Sequence, residues 1–441
     1  MALVSRWAVA SLALMVAASS GGESNWPQWR GPQGTGSAPD ADPPVVWSEG
    51  ANIRWKLPLP GLGHSSPVVW GDLVFVTTAS PRGAPFEARY DNAPGVHDSV
   101  PVTQQYSFSA LAVSRRDGRV VWERELETET PHEGGHYTGS LASSSPVTDG
   151  EHLFVFFGSR GLYALSLDGD LQWKADLGAM RTKHSHGEGS SPVLHGDALI
   201  VNWDHEGQSF VAAFDKATGK ERWKVDRDEV SSWATPIVVE HAGKPQVIVN
   251  GTGRVRGYDL ATGAVIWECG GLSANVVASP VAADGMVYAA SSYDTRAMLA
   301  IRLAGAKGDI TGTDQVAWTR SRATPYVPSL LLYEDSLYFL RHYQGVLSRV
   351  VARTGEEKSG PFRLGGLRDI YSSPVAAAGR IYITDRNGAT LVLSHADKPE
   401  LLALNRLDDS FSASAALVGR ELFLRGERSL YCIAEEGSGS D

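Results

Sequence analysis

Histidine is concentrated in the loop-like segments of this 441-residue chain. Eight of its 12 histidines fall in polar connections between apolar runs, beside carboxylate, amide and aromatic side chains. An imidazole can ligate a metal ion, transfer a proton or hydrogen-bond a ligand. The candidate binding residues are His64, His97, His132, His136, His184, His186, Glu188, Asp204, His205, Trp233, Asn275, His342, Arg368 and Asp369.

The spacing most suggestive of metal binding is in Lys183-His184-Ser185-His186. In extended backbone, residues two apart point the same way, so His184 and His186 are candidate ligands of one ion. The sequence fixes no third ligand, and the presence of a metal stays open. His132 and His136 are separated by Glu-Gly-Gly, which disfavours the helix that would align them. For any single loop histidine, a solvated or hydrogen-bonded residue is the alternative.

The elements that position these residues are imperfect copies of one unit. Each copy has alternating apolar residues, turns and a final tryptophan, and Pro146, Pro192, Pro236 and Pro280 stand 46, 44 and 44 residues apart. Four short strands at this period indicate the blade of a β-propeller. Eight inner-strand elements begin at Ser65-Ser66-Pro67, Ser144-Ser145-Pro146, Ser190-Ser191-Pro192, Ala234-Thr235-Pro236, Ala278-Ser279-Pro280, Val327-Pro328-Ser329, Ser372-Ser373-Pro374 and Ser412-Ala413-Ser414.

The predicted fold is therefore all-β: an eight-bladed propeller of four-stranded antiparallel blades over residues 51–434. The chain ends in the third strand of the last blade, 429–434, whereas residues 53–56 have the sequence of an outer strand with no blade before it. These two segments should pair and close the ring, leaving no free edge at the seam.

The remaining segments are short or irregular. Residues 1–20 have one early charge, an apolar run and small residues, which predicts a secretory signal peptide. Residues 21–50 are rich in Pro and Gly and should pack on the ring with Trp26 and Trp29 as anchors. Residues 435–441 form a predicted disordered tail. Between Thr78 and Phe108 the first blade contains an insertion about 25 residues long, of a kind that is more often functional than idle.

In a propeller, that insertion and the loops entering each blade lie on one face. The eight loop histidines map to this face, whereas His152, His195, His241 and His395 map to hairpin turns or outer connections. A channel mouth surrounded by histidine, aromatic and charged groups is a candidate binding site.

Composition narrows the function classes. Two cysteines, Cys269 and Cys432, do not make a disulfide scaffold, and both are predicted to be packed thiols. The formal net charge of −10 argues against nucleic acid and anionic membranes as partners. We expect a monomer without a membrane span, exported to the periplasm or the extracellular space, that binds a protein or a small molecule.

Tryptophan recurs at one position of the outer strands, where a large ring packs one blade on the next. These docking residues are Trp55, Trp122, Trp173, Trp223, Trp267 and Trp318. The segments AFDKATGKERW (213–223) and GYDLATGAVIW (257–267) resemble the tryptophan-docking repeat of pyrroloquinoline quinone (PQQ)-like propellers, of the quinoprotein alcohol dehydrogenase-like superfamily. Weaker copies cover nearly the whole mature chain.

The resemblance implies either a quinoprotein dehydrogenase or a non-enzymatic propeller, since the family includes both. Its alcohol dehydrogenases carry an adjacent Cys-Cys pair against the quinone and a Glu, Asn and Asp set for calcium and catalysis. Neither cysteine here has a Cys neighbour; Glu188, Asn275 and Asp369 have the right types on the predicted face.

Three functions stay open from the sequence. The favoured one is a non-catalytic module that binds through the histidine-rich face, with no cofactor assigned. The alternative is a PQQ- and calcium-dependent alcohol or sugar dehydrogenase with Asp369 or Asp204 as base. The third is a scaffold in envelope assembly.

Overall fold

The computed structural model describes residues 25–91 and 95–435. The predicted signal peptide and residues 436–441 of the predicted tail lie outside this part of the chain. Within it, β-branched and aromatic residues alternate between glycine-containing turns and form eight antiparallel sheets of at least four strands. The prediction of an all-β, eight-bladed propeller is confirmed.

The first four blades each follow one another directly along the chain. Blade 1 contains Val68–Trp70, Leu73–Arg82, Gln105–Ser114 and Val120–Glu129. Blade 2 contains Val147–Thr148, His152–Phe156, Leu162–Ser166 and Leu171–Ala175. Blade 3 contains Val193–His195, Ala198–Trp203, Ser209–Asp215 and Glu221–Arg227. Blade 4 contains Ile237–His241, Lys244–Asn250, Arg254–Asp259 and Val265–Gly270.

The second half of the ring repeats this order and ends on a strand from the beginning of the chain. Blade 5 contains Val281–Ala283, Met286–Ser292, Arg296–Arg302 and Val316–Arg320. Blade 6 contains Leu331–Tyr333, Ser336–Leu340, Val346–Val351 and Ser359–Arg363. Blade 7 contains Val375–Ala377, Arg380–Thr384, Ala389–Ser394 and Leu401–Arg406. Blade 8 contains Ala416–Val418, Glu421–Arg425, Ser429–Ala434 and Ile53–Pro58.

The ring closes where the sequence predicts. Strand Ile53–Pro58 pairs antiparallel with Ser429–Ala434, with Trp55 opposite Cys432 and Pro58 opposite Ser429. The seam strand therefore supplies the outer strand that the last blade lacks, which ties the two ends of the propeller together.

A closed circle of hydrogen bonds joins the inner strands. In each blade the backbone N–H of one inner residue donates to the side-chain hydroxyl of its counterpart in the next blade, at 2.8–3.0 Å in all eight steps. The step from Ser414 back to Ser66, at 2.9 Å, completes the circle. The members of this hydroxyl ring are Ser66, Ser145, Ser191, Thr235, Ser279, Ser329, Ser373 and Ser414.

In two blades the hydroxyl ring uses the residue after the one that the repeat pattern predicts. The pattern places Pro328 and Ala413 at the central position of their three-residue elements, whereas Ser329 and Ser414 occupy that position in the structure. The reason is physical: the position must supply both an N–H and a hydroxyl, and proline offers neither while alanine lacks the hydroxyl.

Tryptophan docking joins the blades nearer the rim. The indole N–H groups of Trp55, Trp122, Trp173, Trp223 and Trp318 donate to a backbone carbonyl of the following blade at 2.7–2.9 Å. Each ring also covers a turn glycine with positive φ. A Cβ added to Gly219, for example, would lie 2.6 Å from Trp173 Cε3. The turn therefore requires glycine for its backbone conformation and for the close approach of the indole.

Trp267 departs from this scheme. Its indole N–H donates to Gln246 Oε1 of its own blade at 2.9 Å, and the ring is fully buried. The long connection between the last two strands of blade 5 covers it, because Gly308–Asp309 pairs in parallel with Trp267 and Glu268. Blade 4 thus has a short fifth strand that the four-stranded prediction did not include.

Residues 25–50 cross the inner strands. Trp26 exchanges two 2.9 Å backbone hydrogen bonds with Val69 and is buried. Arg30 is also buried, donates to the carbonyls of Pro374 and Leu330, and has its pKa lowered to about 9 by burial. The segment thereby contacts the inner-strand regions of blades 1, 6 and 7.

The insertion of blade 1 extends two strands to ten residues each and then turns back over the neighbouring blade. Its segment Ser99–Val100 pairs with Gly135–His136, in the loop that enters blade 2. Two three-residue 3₁₀ turns, Gly158–Arg160 and Lys183–Ser185, complete the described elements. None of the helices in residues 25–91 and 95–435 has the length and apolar character to traverse a membrane.

The stability contributed by tryptophan docking can be measured with two glycine-to-alanine substitutions. Both carry the same backbone cost, but only one lies under a docked indole. Gly219 and Gly243 have φ of 69° and 73°, but a Cβ at Gly243 meets nothing within 4 Å. Both Gly219→Ala and Gly243→Ala should cost about 1 kcal/mol for the left-handed backbone. Gly219→Ala should cost about 1–3 kcal/mol more, because it forces Trp173 off the turn. Urea denaturation of the two variants measures the difference, and equal midpoints would contradict the docking contact.

Candidate functional site

A cavity of about 410 Å³ lies on the ring axis, on the face of the blade-entry loops. Its floor includes Trp29 of the N-terminal segment, and its wall includes every member of the hydroxyl ring except Ser279. We call this cavity the funnel. Around its mouth stand His64, His97, Asp98, His136, Tyr137, His186, Glu188, Trp233, Asn275, Tyr293, Tyr326, Tyr343 and Tyr371.

One wall of the funnel is a cluster of imidazoles. The ring centre of His97 lies 4.5 Å from that of His184 and 5.1 Å from that of His186. The rings of His184 and His186 are 5.3 Å apart, and His136 lies 4.7 Å from His186. These four residues, from three separate loops, form what we call the histidine cluster.

Backbone and hydroxyl contacts hold the three loops together at the cluster. The pairing of Ser99–Val100 with Gly135–His136 places the insertion beside His136. Ser99 Oγ donates to the carbonyl oxygens of His184 and Ser185, at 2.7 and 3.1 Å. His184 and Ser185 have φ of 56° and 54°, a conformation that costs non-glycine residues free energy and is retained only where the surroundings enforce it.

The opposite wall is aromatic. Tyr293 and Tyr326 have ring centres 5.8 Å apart, and Tyr343 stacks on Tyr371 at 5.7 Å. Burial raises the pKa of Tyr326 to about 12, so its hydroxyl is protonated at neutral pH. Trp233 donates its indole N–H to the carbonyl of Gly187 at 2.7 Å, which fixes the ring beside the histidine cluster.

Three polar atoms of described funnel residues are buried without a hydrogen-bond partner. They are Asn275 Oδ1, His64 Nε2 and Ser412 Oγ. Asn275 also has a φ of 53°, so its loop is held in the left-handed region. Unpartnered buried acceptors and donors are uncommon, and in a cavity wall they mark positions where a ligand or water completes the hydrogen bonding.

The lining carries little positive charge at neutral pH. Burial lowers the pKa of His64 to about 3, assisted by Arg425 and Arg386, and it lowers the pKa of His186 to about 4. No Lys or Arg is among the described residues that line the funnel, whereas Asp98 and Glu188 are. The nearby cations Lys183 and Arg386 lie on the rings of lining tyrosines, at 6.0 and 5.1 Å.

Half of the fourteen predicted binding residues line the funnel. They are His64, His97, His136, His186, Glu188, Trp233 and Asn275. His184 lies behind them, in the histidine cluster. The others are on the predicted face or under it, but their side chains have different partners.

Asp204 and His205 are structural. Asp204 accepts two hydrogen bonds from Arg227, at 2.8 and 3.0 Å, and one from Ser232 Oγ at 2.6 Å; it is fully buried. His205 Nδ1 accepts the N–H of Arg181 at 3.0 Å. The carboxylate that the sequence suggested as a catalytic base is thus occupied by Arg227 and Ser232 and does not line the funnel.

The remaining predicted residues also lie outside the lining. His132 Nε2 donates to the Met180 carbonyl at 2.6 Å, and His342 Nε2 hydrogen-bonds Ser292 Oγ at 3.0 Å. Arg368 and Asp369 are exposed, and Arg368 is held through its backbone N–H by Asp385. A position in a blade-entry loop is thus not sufficient to direct a side chain to the axis.

Two acidic residues near the histidine cluster, Glu188 and Glu133, also have structural partners. Glu188 accepts from the N–H of Ser159 at 2.9 Å and from Arg160 at 3.3 Å. Glu133 accepts from Thr182 Oγ1 at 2.6 Å, and burial raises its pKa. Both carboxylates fix the loops that carry His184 and His186.

Several lining residues outside the hydroxyl ring are not in the candidate set that the sequence predicts, among them Trp29, Asp98, Tyr137, Tyr293, Tyr326, Tyr343 and Tyr371. Tyr293 and Tyr343 occupy the same loop type as His342, between the second and third strands, and that shared position was the available signal. Cys269 and Cys432 are buried free thiols within the blades. Neither belongs to the funnel lining.

Comparison with a family model supports the repeat pattern. A model described as outer membrane protein assembly factor BamB matches residues 40–202, 106–358 and 207–439. The three overlapping matches together cover the whole propeller. None of the curated protein sequences matches the chain.

Solved structures with similar architecture include BamB and two alcohol-oxidising dehydrogenases. BamB from Moraxella catarrhalis is 15% identical with a TM-score of 0.51, covering 80% of this chain and 98% of its own. A europium-containing methanol dehydrogenase is 10% identical with a TM-score of 0.60, covering 92% and 90%. The quinohemoprotein alcohol dehydrogenase ADHIIG of Pseudomonas putida HK5 is 10% identical with a TM-score of 0.58, covering 95% and 81%. At these identities the likeness shows the fold alone.

The structural role of Asp204 is testable by a matched pair of substitutions. Asp204→Asn should reduce the free energy of unfolding by about 3–5 kcal/mol, because it removes the carboxylate that accepts two hydrogen bonds from the buried Arg227 and leaves Glu229, 4.0 Å away, as its remaining counter-charge. Asp226→Asn, at an exposed position of the same blade, should change it by less than about 0.5 kcal/mol. Urea denaturation measures both, and a difference below about 1 kcal/mol would contradict the assignment.

The buried imidazole of His64 predicts acid sensitivity. Below its unfolded pKa of about 6.5 the unfolded chain takes up a proton at this residue. The folded chain does not take it up until near pH 3. His64 thus lowers the free energy of unfolding as the pH falls from 6.5 towards 3. His64→Gln should make the pH dependence between pH 7 and 5 shallower by up to about one proton, as followed by urea denaturation at several pH values. A slope equal to that of the wild type would show that His64 is protonated in the folded protein.

Proposed function

Because this chain belongs to the PQQ-like propeller family whose model is described as outer membrane protein assembly factor BamB, we propose that it is a non-catalytic binding module. Its funnel takes an uncharged, hydroxyl-bearing small molecule such as a saccharide. The observation that carries the proposal is the composition of the funnel wall: tyrosine rings, imidazoles and hydroxyls of the inner strands, with no Lys or Arg among its described residues.

Each part of the lining suits such a ligand. Hydroxyls of the ring accept one backbone N–H each and retain a proton to donate towards the axis. The tyrosine and tryptophan faces provide flat apolar surface with a polar edge. Asn275 Oδ1 is an acceptor in need of a donor, which a ligand hydroxyl supplies. A volume of about 410 Å³ is in the range of small-molecule sites.

The residues do not fit PQQ. The cofactor carries three carboxylates, and removing such a trianion from water requires cations or many donors to compensate. The described lining has Asp98 and Glu188 but no Lys or Arg, and both cysteines lie elsewhere. For these reasons we derive no redox step for the funnel.

The calcium set implied by the family resemblance is not assembled either. Glu188 and Asn275 line the funnel, but the Glu188 carboxylate accepts hydrogen bonds from Ser159 and Arg160. Asp369, the third member, is exposed and outside the lining. Ca²⁺ needs six to eight oxygen ligands, which these residues do not supply together.

Export is a separate part of the proposal. It is supported by the charge pattern and apolar run of residues 1–20, which lie outside the described residues. Cell fractionation of the full-length chain tests it: recovery of an uncleaved chain with the cytoplasmic proteins would contradict export.

The cofactor question is decided by calorimetric titration of the purified chain with PQQ, with and without CaCl₂. We expect no binding tighter than about 1 mM, equivalent to about 4 kcal/mol. Micromolar binding, or calcium-dependent oxidation of alcohols in a dye-linked assay, would contradict the proposed binding module and support a quinoprotein dehydrogenase instead.

The ligand class is tested by a panel of neutral saccharides, with binding followed by thermal stability and tryptophan fluorescence. A ligand that binds only the folded chain should raise the melting temperature increasingly as its concentration exceeds its dissociation constant. Tyr343→Ala, in the funnel, should weaken any saccharide found by at least about 10-fold, because it removes a stacked ring. Tyr90→Ala, at an exposed tyrosine outside the lining, is the matched control and should leave the affinity unchanged.

A further inference from the structure

Three imidazoles of the histidine cluster are mutually adjacent. The pairwise distances between ring centres are 4.5 Å for His97 and His184, 5.1 Å for His97 and His186, and 5.3 Å for His184 and His186. We propose that His97, His184 and His186 together bind one divalent transition-metal cation of the zinc and copper class. This site goes beyond the proposed ligand of the funnel and does not depend on what that ligand is.

The distances between the three imidazole centres are close to those expected for imidazoles bound to one ion. A metal–nitrogen bond of about 2.0–2.1 Å places the centre of an imidazole about 3.2 Å from the ion. Two imidazoles bound at angles of about 90–110° then have centres about 4.5–5.2 Å apart. Two of the three measured distances, 4.5 and 5.1 Å, fall within this range and the third, 5.3 Å, lies just above it, although the residues come from two loops that are remote in sequence.

The second nitrogens of the rings support ligation. His97 Nδ1 donates to the Gly95 carbonyl at 2.8 Å, which leaves Nε2 with its lone pair. His186 Nε2 donates to the His97 carbonyl at 3.1 Å, which leaves Nδ1 with its lone pair. Metal-binding histidines characteristically direct their other N–H to a carbonyl or carboxylate in this way.

His184 supplies the third argument. Its Nδ1 is buried and has no hydrogen-bond partner. Its backbone is in the left-handed region, and Gly95 gives its ring room, since a Cβ there would come within 3.1 Å of the ring. A strained backbone and an unpartnered buried nitrogen, on a ring that adjoins two other imidazoles, are accounted for by an ion that the three rings share.

Binding needs the rings to turn. Among the described residues, the set of three donors already within 4.8 Å of one another is Asp149, Glu151 and His152, in a turn of blade 2. The nitrogens of the histidine cluster are farther apart than this, so the rings must rotate about their side-chain bonds to converge. His97 is exposed and His184 Nδ1 is unrestrained, so both can do so.

The donor set selects the type of ion. Three neutral nitrogens suit Zn²⁺, Cu²⁺ or Ni²⁺ and disfavour Ca²⁺ and Mg²⁺, which prefer oxygen. Three protein ligands leave at least one position of the ion open. That position faces the funnel, where His136, 4.7 Å from His186, or a small ligand can occupy it.

The test uses the full mature chain stripped of metal and titrated calorimetrically with ZnCl₂ and, separately, with CuCl₂. We expect one equivalent to bind with a dissociation constant of about 1 µM or below. His97→Ala and His186→Ala should each weaken this binding at least 30-fold while leaving the circular dichroism spectrum unchanged. Electron paramagnetic resonance of the Cu²⁺-loaded chain should show hyperfine coupling to at least three nitrogens.

The matched control removes the competing cluster. His152→Ala disrupts the set with Asp149 and Glu151 and should leave the affinity unchanged. The proposal is overturned if the wild type binds both ions no tighter than about 1 mM, if His152→Ala abolishes binding, or if the His97 and His186 variants keep the wild-type affinity. Saccharide binding measured on metal-free chain separates the outcome of this test from that of the proposed function.

Discussion

The closed circle of eight N–H to hydroxyl hydrogen bonds is the constraint on which the rest of the molecule depends. Near the axis the inner strands converge, so their side chains must be small. Their N–H groups that face the next blade are removed from water and need acceptors. Serine and threonine meet both demands at once. Because each blade supplies the acceptor for the one before it, the circle is complete only when all eight blades are present, and the seam strand at 53–58 is the corresponding closure at the rim.

The same circle determines what the funnel can bind. Its hydroxyls form the wall of the cavity, and Trp29 is held below them by the segment that Arg30 anchors to the inner strands. The nearby carboxylates hold loops in place through hydrogen bonds. Glu188 accepts from Arg160, Glu133 from Thr182 and Asp204 from Arg227. The groups left facing the axis are mostly uncharged, which is why the chemistry of the funnel differs from that expected of a tricarboxylate cofactor site.

The sequence predicts the architecture well because periodicity reports it. Blade number, the seam pairing and the docking of Trp173 on the Gly219 turn all follow from repeated spacing. Prediction from the sequence fails where the direction of a side chain, rather than its position in the repeat, determines whether it faces the funnel. Asp204 turns inwards to Arg227, while Tyr293 and Tyr343 from corresponding loops turn to the axis. The packing of Trp267 is not predictable for another reason. The long connection of blade 5 adds a strand beside it, and that strand is not part of the repeat.

A ring of eight similar blades cannot by itself make a distinctive site, because seven of the eight blades present a similar small hydroxyl to the funnel. Asymmetry has to come from the parts that break the repeat. The insertion of blade 1 brings His97 past the loop of blade 2 to the loop of blade 3, and Ser99 fastens it there through the carbonyls of His184 and Ser185. The strained backbone of those two residues is the local cost of that arrangement, and the regular ring supplies the stability that maintains it. Recognition in this propeller therefore resides in its irregular segments, and the repeat serves to hold them around one axis.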